Sequence, residues 1–556
     1  MAKDDSELVF LPLGGLGEIG MNAALYGYGP KKNREWILVD CGIAFAGAEA
    51  PGVDLYLPDL RFIETQKERL KGIIITHAHE DHIGAVMDLW PRLKAPLYAT
   101  QFAADLLEVR RFQEPGAKPV PVTVVEPGKT FDCGPFNIEM VRVAHSIPES
   151  TALAIKTPAG VIVHTGDWKI DKTPVVGWTT DEDRLRALGD EGVLALICDS
   201  TNVNRDGISP SEADVSKSLA EIIGQAKGRV AVTTFASNVA RIRSVAEAAA
   251  ANDREVVVVG RAMDRVIQVS RELGLLDGLP PFKTADAFSY LPRHKVVLLL
   301  TGSQGEPRAA MARVAEEQHP AIALAPGDLA IFSSRTIPGN EKAVGKIING
   351  LTRMGIDVIT DRDGLVHVSG HPRRGELEQM YAWVKPKIAI PAHGEPYHLH
   401  EHAKLARKLG VPHVVEATDG ELVALSPGVP AIIDEVAFGR LNKDGNIITD
   451  AGDPAVQERR RLSFGGIISV ALALDSRGEL AGDPTFDISG LPERASNGDL
   501  FDAIIEDAVV ATLDGLPRGK RRDPDSVETA VERAVRGTVA ERWGKKPVCH
   551  VLVVNV

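Results

Sequence analysis

A chain of 556 residues is too long to fold around one hydrophobic core, and 44% hydrophobic residues are enough to bury two or three domains. No run approaches the roughly 20 apolar residues that a membrane-spanning helix needs, and a formal charge of −13 argues against indiscriminate nucleic-acid binding, though divalent cations can reverse the sign inside a cleft and leave a phosphodiester substrate open. The cysteines Cys41, Cys133, Cys198 and Cys549 are far apart with no CxxC spacing, so neither a disulfide framework nor a thiolate zinc site is indicated, and each reads as a small core residue.

Met1-Ala2-Lys3-Asp4-Asp5-Ser6 runs directly into a strand over Leu8–Leu13 without a signal-peptide pattern, so a cytoplasmic location is expected. Gly15-Leu16-Gly17-Glu18-Ile19-Gly20 matches the G-x-G-x-x-G pattern, but Met21–Tyr26 is followed by Gly27-Tyr28-Gly29-Pro30, which leaves room for a hairpin strand and not for the helix a dinucleotide site requires. Asp40, closing Trp36–Val39, reads as a carboxylate that orients a ligand histidine. The apolar Gly72–Thr76 is a buried strand, and at its end stands His77-Ala78-His79-Glu80-Asp81-His82, with a helix expected over Ile83–Leu93. Zinc-type cations favour imidazole and carboxylate, and His at i and i+2 with Asp and His just beyond can divide between two ions.

Four later apolar runs also end on residues of ligand type: Phe136–Ala144 before His145, Gly160–Gly166 before Asp167, Val193–Cys198 before Asp199, and Lys387–Ala392 before His393. One sheet edge collecting these ligands is expected, in an α/β or mixed sandwich. A carboxylate such as Asp167 can bridge two cations, and Gly166 before it permits a sharp turn; His164 points to the other strand face. From Ser209 to Asp361 helices and short strands alternate, which reads as an inserted βα domain. Its strand-end loops, Thr233–Asn238, Thr301–Glu306 and Ser333–Asn340 with Arg335, suit anions, and plain helix capping accounts for Thr233–Asn238 equally well. His367-Val368-Ser369-Gly370-His371 precedes the last ligand segment, while His398, His400 and His402 start a helix and read as solvated. Lys31–Arg34, Arg459–Arg461 and Arg518–Arg522 read as basic surface. Polar Asn442–Gln457 reads as a linker, followed by a strand over Ile467–Leu474, helices over Leu500–Leu513 and Ser526–Trp543, and a terminal strand over Pro547–Val556.

These motifs together resemble the metallo-β-lactamase-fold nucleases of the β-CASP group, and among them the bacterial RNase J family. The resemblance rests on the HxHxDH run, His145, Thr165-Gly166-Asp167, Asp199-Ser200-Thr201-Asn202, Phe235-Ala236-Ser237-Asn238, Thr301–Glu306, His367–His371 and Pro391–Glu395; Ala392 and Pro396 differ from the commonest family forms. It implies an αββα sandwich over residues 1–208 and 362–445, an inserted β-CASP α/β domain over 209–361, a linker over 446–460 and a small α/β C-terminal domain over 461–556. It further implies two divalent ions, zinc or manganese: one on His77, His79 and His145, the other on Asp81, His82 and His393, with Asp167 bridging. Asp81, Asp199 and His371 are then the catalytic set, with His371, oriented by Asp199, giving a proton to the leaving 3′ oxygen. Ser237, Asn238, His367 and Ser369 are the expected holders of an RNA 5′ phosphate. The implied activity is hydrolysis of single-stranded RNA from a 5′ monophosphate, with internal cutting as well, by a homodimer or homotetramer assembled through the C-terminal domain. The competing readings are a hydrolase of small esters, thioesters or lactams on the same scaffold, and a catalytically idle nucleic-acid scaffold.

Overall fold

The computed structural model describes residues 5–47, 49–113, 117–337 and 339–556. Met1–Asp4, read from sequence as the lead into the first strand, and Pro338 of the polar loop lie outside the described residues. The chain divides into two compact units, one of Met1–Ala44 with Leu57–Arg440, the other of Phe45–Tyr56 with Leu441–Val556.

In the first unit two mixed sheets face each other. The order in one is Ala431–Glu435, Glu421–Ser426, Ser6–Gly14, Ala23–Pro30, Glu35–Val39, Leu70–Ile74, Leu97–Ala99, Val122–Val124; in the other it is His413–Val414, Ile388–Ala392, Val193–Asp199, Gly160–His164, Thr151–Thr157, Phe136–Arg142, Thr130–Cys133. Phe10, Tyr26, Ile37 and Ile74 from the first meet Ile138, Leu153, Ile162, Ile197 and Ile390 from the second. The outer face of the second sheet, with Val163, Leu196 and Ala389, is covered by Leu185 and Leu188 of the helix Glu182–Glu191 and by Leu377 and Trp383 of Arg374–Val384. Its central strands are buried on both faces, which is why they read as unbroken apolar runs.

Two expectations about the sandwich need correction. The ligand-bearing strands do not share one sheet edge: Leu70–Ile74 belongs to the first sheet and the other four to the second, so the ligands meet across the mouth of the sandwich. The helix expected over Ile83–Leu93 is also interrupted, because Glu80–Ile83 forms one turn and Val86–Leu93 a separate helix. Ala23–Pro30 pairs antiparallel with Ser6–Gly14, so the glycine motif ends in a hairpin.

The insertion is a five-stranded parallel sheet in the order Glu255–Val259, Val296–Leu300, Val230–Thr233, Leu329–Phe332, Asp357–Ile359. Its first helix, Glu212–Gln225, starts at a capping box in which the Ser211 hydroxyl and the Asp214 carboxylate satisfy free backbone N–H groups. The stretch expected as a linker is ordered: Arg440–Asp444 pairs antiparallel with Ile447–Asp450, and Asp453 caps the helix Pro454–Gly465. Its polar residues serve a turn and a cap, the two devices that mimic linker composition. In the second unit Thr485–Ser489, Ile467–Leu474 and Val548–Asn555 form a sheet. Val527, Val531, Val535 and Val539 make a stripe at spacing four along the helix Pro524–Trp543 and bury it in this unit's core.

Candidate metal centre and active site

The HxHxDH loop is fixed mainly through its backbone. Asn22 N and the Asn22 amide both donate to the Asp81 carbonyl, Ile43 N donates to Glu80 O, and Cys41 N to His82 O. Gly42 passes so close that a Cβ there would stand 1.7 Å from the Asp81 carbonyl oxygen. On the opposite side Gly166 adopts φ +52°, a left-handed turn that delivers Asp167 into the same space.

The side chains converge in overlapping groups. His77 Nε2 and His145 Nε2 stand 3.2 and 3.0 Å from His79 Nδ1, and Asp167 Oδ2 is 3.8 and 3.7 Å from the first two. His82 Nε2 lies 3.3 Å from Asp167 Oδ2 and 3.6 Å from Asp81 Oδ2, and His393 Nε2 lies 3.3 Å from Asp81 Oδ2. Asp167 belongs to both groups; a third, overlapping one joins it to Asp199, His371 and His393. Tetrahedral ligands about 2.1 Å from one zinc ion stand about 3.4 Å apart, so the spacing fits a divalent cation. The chemistry fits too. Burial pushes His77 and His145 well below the ordinary imidazole range, with neighbouring imidazoles adding to the effect, and brings His79 down to about 4; neutral rings with facing lone pairs are what a metal requires. Burial would also lower His82 and His393, but Asp167 and the other carboxylates around them prevail, holding His82 well above its usual range and His393 at about 10. Asp167 Oδ1 is buried with no hydrogen-bond partner. Such a surplus of buried carboxylate calls for a cation.

The outer nitrogens fix the tautomers. His77 Nδ1 meets Thr76 Oγ1 at 3.0 Å, His82 Nδ1 meets Asp40 Oδ2 at 2.7 Å, His145 Nδ1 meets the Gly370 carbonyl at 2.7 Å, and His393 Nδ1 meets Thr201 Oγ1 at 2.9 Å, so each ring turns Nε2 to the centre, that of His82 also lying 3.0 Å from the Asn22 amide nitrogen. Thr76 N and Oγ1 both donate to Asp40. The sequence reading found Asp40 but missed Thr76, Thr201, Asn22 and the Gly370 carbonyl. Direct adjacency of Thr76 to the HxHxDH run and of Thr201 to Asp199-Ser200 was the only signal.

His371 stands beside this cluster with its side chain 20% exposed. Its Nδ1 meets Asp199 Oδ2 at 2.8 Å and is 3.8 Å from Asp167 Oδ2. Burial lowers its proton affinity, yet Asp199 and Asp167 outweigh that and hold it above the ordinary value. Asp199 is fully engaged, since its Oδ1 accepts from Thr201 N and Oγ1. Of the expected phosphate holders, Asn238 is 2% exposed and its Oδ1 caps the helix Val239–Ala251 by accepting from Arg241 N; Ser369 Oγ accepts from the Asn202 amide at 2.8 Å. Ser237 and His367 are half-buried, and His367 Nδ1 is a buried atom without a partner. His164 meets the Tyr26 hydroxyl at 2.7 Å in the sandwich interior. The solvated reading of His402 fails: it is 0% exposed and lies between Ser200 Oγ (2.8 Å) and the Tyr381 hydroxyl (2.9 Å).

Residues 35–190 match the beta-lactamase superfamily domain, 227–351 the "Ribonuclease J, beta-CASP domain", 355–416 the "Zn-dependent metallo-hydrolase RNA specificity domain" and 454–556 the "Ribonuclease J C-terminal domain". The chain is 54% identical over its full length to the ribonuclease J of Sinorhizobium meliloti, of which it covers 98%. It belongs to the ribonuclease J family. The ribonuclease J of Corynebacterium glutamicum is 39% identical, with 96% of this chain matched to 74% of that one, and that of Mycolicibacterium smegmatis is 39% identical, with 98% matched to 96%. A crystal structure of a protein of unknown function from Enterococcus faecalis V583 shares the fold, with a TM-score of 0.52 and 16% identity over 75% of this chain and 100% of that one. Family membership along the whole chain disfavours the small-ester, thioester or lactam reading.

Proposed function

We propose that this ribonuclease J-family chain hydrolyses the phosphodiester bonds of single-stranded RNA with two divalent cations, zinc or manganese, removing nucleotides from a 5′ monophosphate and also cutting internally. The observation that carries the reading is the pair of candidate ligand groups that share Asp167. On this reading His77, His79 and His145 hold one ion, Asp81, His82 and His393 the other, and Asp167 both. Cations held there offset the negative charge that gathers on the scissile phosphate and lower the pKa of an attacking water.

The chain's own residues supply the rest. His371 presents Nε2 to the leaving 3′ oxygen while Nδ1 is held by Asp199, so the ring stays aimed and its proton stays available at neutral pH. Ser237, Asn238, His367 and Ser369 hold the 5′ phosphate. The pocket between sandwich and insertion then sets the distance from the chain end to the cut, and a 5′ triphosphate is handled poorly. The sandwich spans 1–208 and 362–445, the insertion 209–361 and the C-terminal domain 461–556, joined by 446–460, an ordered strand and helix and not a loose linker. The protein works in the cytoplasm on RNA maturation and decay, as a homodimer or homotetramer through its C-terminal domain. No helix among the described residues is long and apolar enough to cross a membrane. The test is digestion of an internally labelled RNA carrying a 5′ monophosphate or a 5′ triphosphate by the metal-reconstituted protein. Mononucleotides released mainly from the monophosphate support the reading; equal exonuclease rates on both ends refute the phosphate pocket.

A further inference from the structure

The insertion leaves the sandwich along Ser209–Glu212 and returns along Val366–Arg373, and at both crossings charge is buried. Lys169 and Arg241 are 0% exposed, Asp171 and Glu212 2%, and Glu376 0%. Lys169 Nζ lies 2.9 Å from Asp171 Oδ2 and 3.8 Å from Glu212 Oε1. The other oxygen of Glu212 accepts from Arg241 Nη2 at 3.0 Å. Arg241 Nη1 donates to the carbonyls of Ser333 (3.0 Å) and Val366 (2.9 Å), and Ser333 Oγ donates to the same Val366 carbonyl at 2.7 Å. Glu376 gathers Ile170 N, Ser209 N and Oγ, and Arg373 N within 3.0 Å.

One polar chain therefore begins two residues after Asp167, passes through Glu212 at the outgoing crossing and Arg241 of the insertion, and ends on Val366, which opens the loop His367–His371. Buried ion pairs add little net stability over an apolar core of the same shape, and their best-attested use is to select one arrangement among several. Apolar side chains would close this junction as well; they would not hold a backbone carbonyl at a set point. Arg241 also joins the two halves of the expected phosphate pocket, because its own N–H is capped by Asn238 and its guanidinium holds the residue before His367.

We propose that Glu212, acting through Arg241, is a positioning residue for the reaction: it locks the His367–His371 loop against the Asp167–Lys169 loop and so aims His371. This rests on the role given to His371 above. Two variants test it. Glu212→Gln keeps the size of the side chain and removes the charge that Lys169 and Arg241 share; Ser333→Ala removes the hydroxyl that donates to Val366 O and accepts from Arg241 Nη1, leaves both charges in place, and is the milder change. Each is assayed for kcat and KM on 5′-monophosphate RNA, for metal content and for thermal unfolding, alone and with His371→Ala. The expected result is a kcat lowered by roughly ten- to a hundred-fold in Glu212→Gln and by a smaller factor in Ser333→Ala, with metal content close to wild type and KM raised by less than kcat falls, since His367 and Ser369 ride on the same loop. In the His371→Ala background neither change lowers the residual rate further, because groups acting through one another are not additive. Wild-type kcat in both variants, or losses that multiply with that of His371→Ala, overturns the proposal. If Glu212→Gln does not fold, Ser333→Ala decides by the same criteria. A wild-type rate in His371→Ala alone overturns the role of His371, and the proposal with it.

Discussion

Replacing His371 with alanine separates proton delivery from metal binding. The ring makes one strong polar contact, to Asp199 Oδ2 at 2.8 Å, and stacks on His393 at 5.3 Å between centroids. Asp199 keeps both bonds from Thr201 when the ring is gone, and the four outer-nitrogen contacts of the ligand histidines do not involve the His371 side chain. The two ligand groups sharing Asp167 thus stay intact, and full metal content is expected. A positioned general acid contributes about 10²–10⁴ in rate, which is about 3–5 kcal/mol of transition-state stabilisation, so kcat on 5′-monophosphate RNA should fall by that factor with KM little changed. The assay pairs single-turnover cleavage with elemental analysis of the same preparation. The geometry also contains a different outcome, since His371 lies in the third group with Asp167, Asp199 and His393. Loss of one metal equivalent in His371→Ala would make it a ligand and refute the acid role.

Asp419 gives a stability prediction with a definite sign. Burial, helped by Glu18, raises its carboxyl to about 8, and it accepts from Leu16 N at 3.1 Å. An unfolded aspartate titrates near 3.9, so the folded state alone holds this proton between those values; the contribution is complete below about pH 4 and is lost as pH rises to 8, by up to about 5 kcal/mol. Asp419→Asn should flatten that slope and unfold at a higher temperature than wild type at pH 8.5, and a parallel decline in both proteins would count against the assignment. Thr201→Val removes the partner of His393 Nδ1 and should weaken metal affinity by about 10–100-fold, read by competition with a chelator. Gly42→Ala, which drives a methyl into the Asp81 carbonyl, should abolish stoichiometric metal binding, and a normal titration would show that the loop can shift. Phe501→Ala empties a 1% exposed core position in the second unit and should cost about 3–5 kcal/mol, seen as earlier urea unfolding of that unit.

The candidate cluster was readable because all its members but His371 stand at or just after the end of an apolar run, and strand ends are where sheets collect functional groups. His77, His79, Asp81, His82, His145, Asp167, Asp199, His371 and His393 are brought together as that pattern implies. The assignment of strands to sheets was not readable, since alternation of side chains says which faces are buried and nothing about which strand pairs with which. The groups that orient the ligands were hidden for another reason: Thr76 and Thr201 act through single hydroxyls and Gly370 through its carbonyl, none of which leaves a periodic trace. His402 was misread because its helix starts in solvent, yet it shares a face with Leu399, Ala403 and Ala406, all buried, and its partners Ser200 and Tyr381 are remote in sequence. Glu212, Arg241 and Glu376 look like surface charges until the two chain crossings bring them together.

On the proposed reading, two cations around Asp167 act as one centre on RNA. The most direct measurement is titration of the metal-free protein with zinc or manganese while cleavage of 5′-monophosphate RNA and bound metal are followed together. Activity that rises only as the second equivalent per chain is taken up is the expected result; full activity at one equivalent would contradict it.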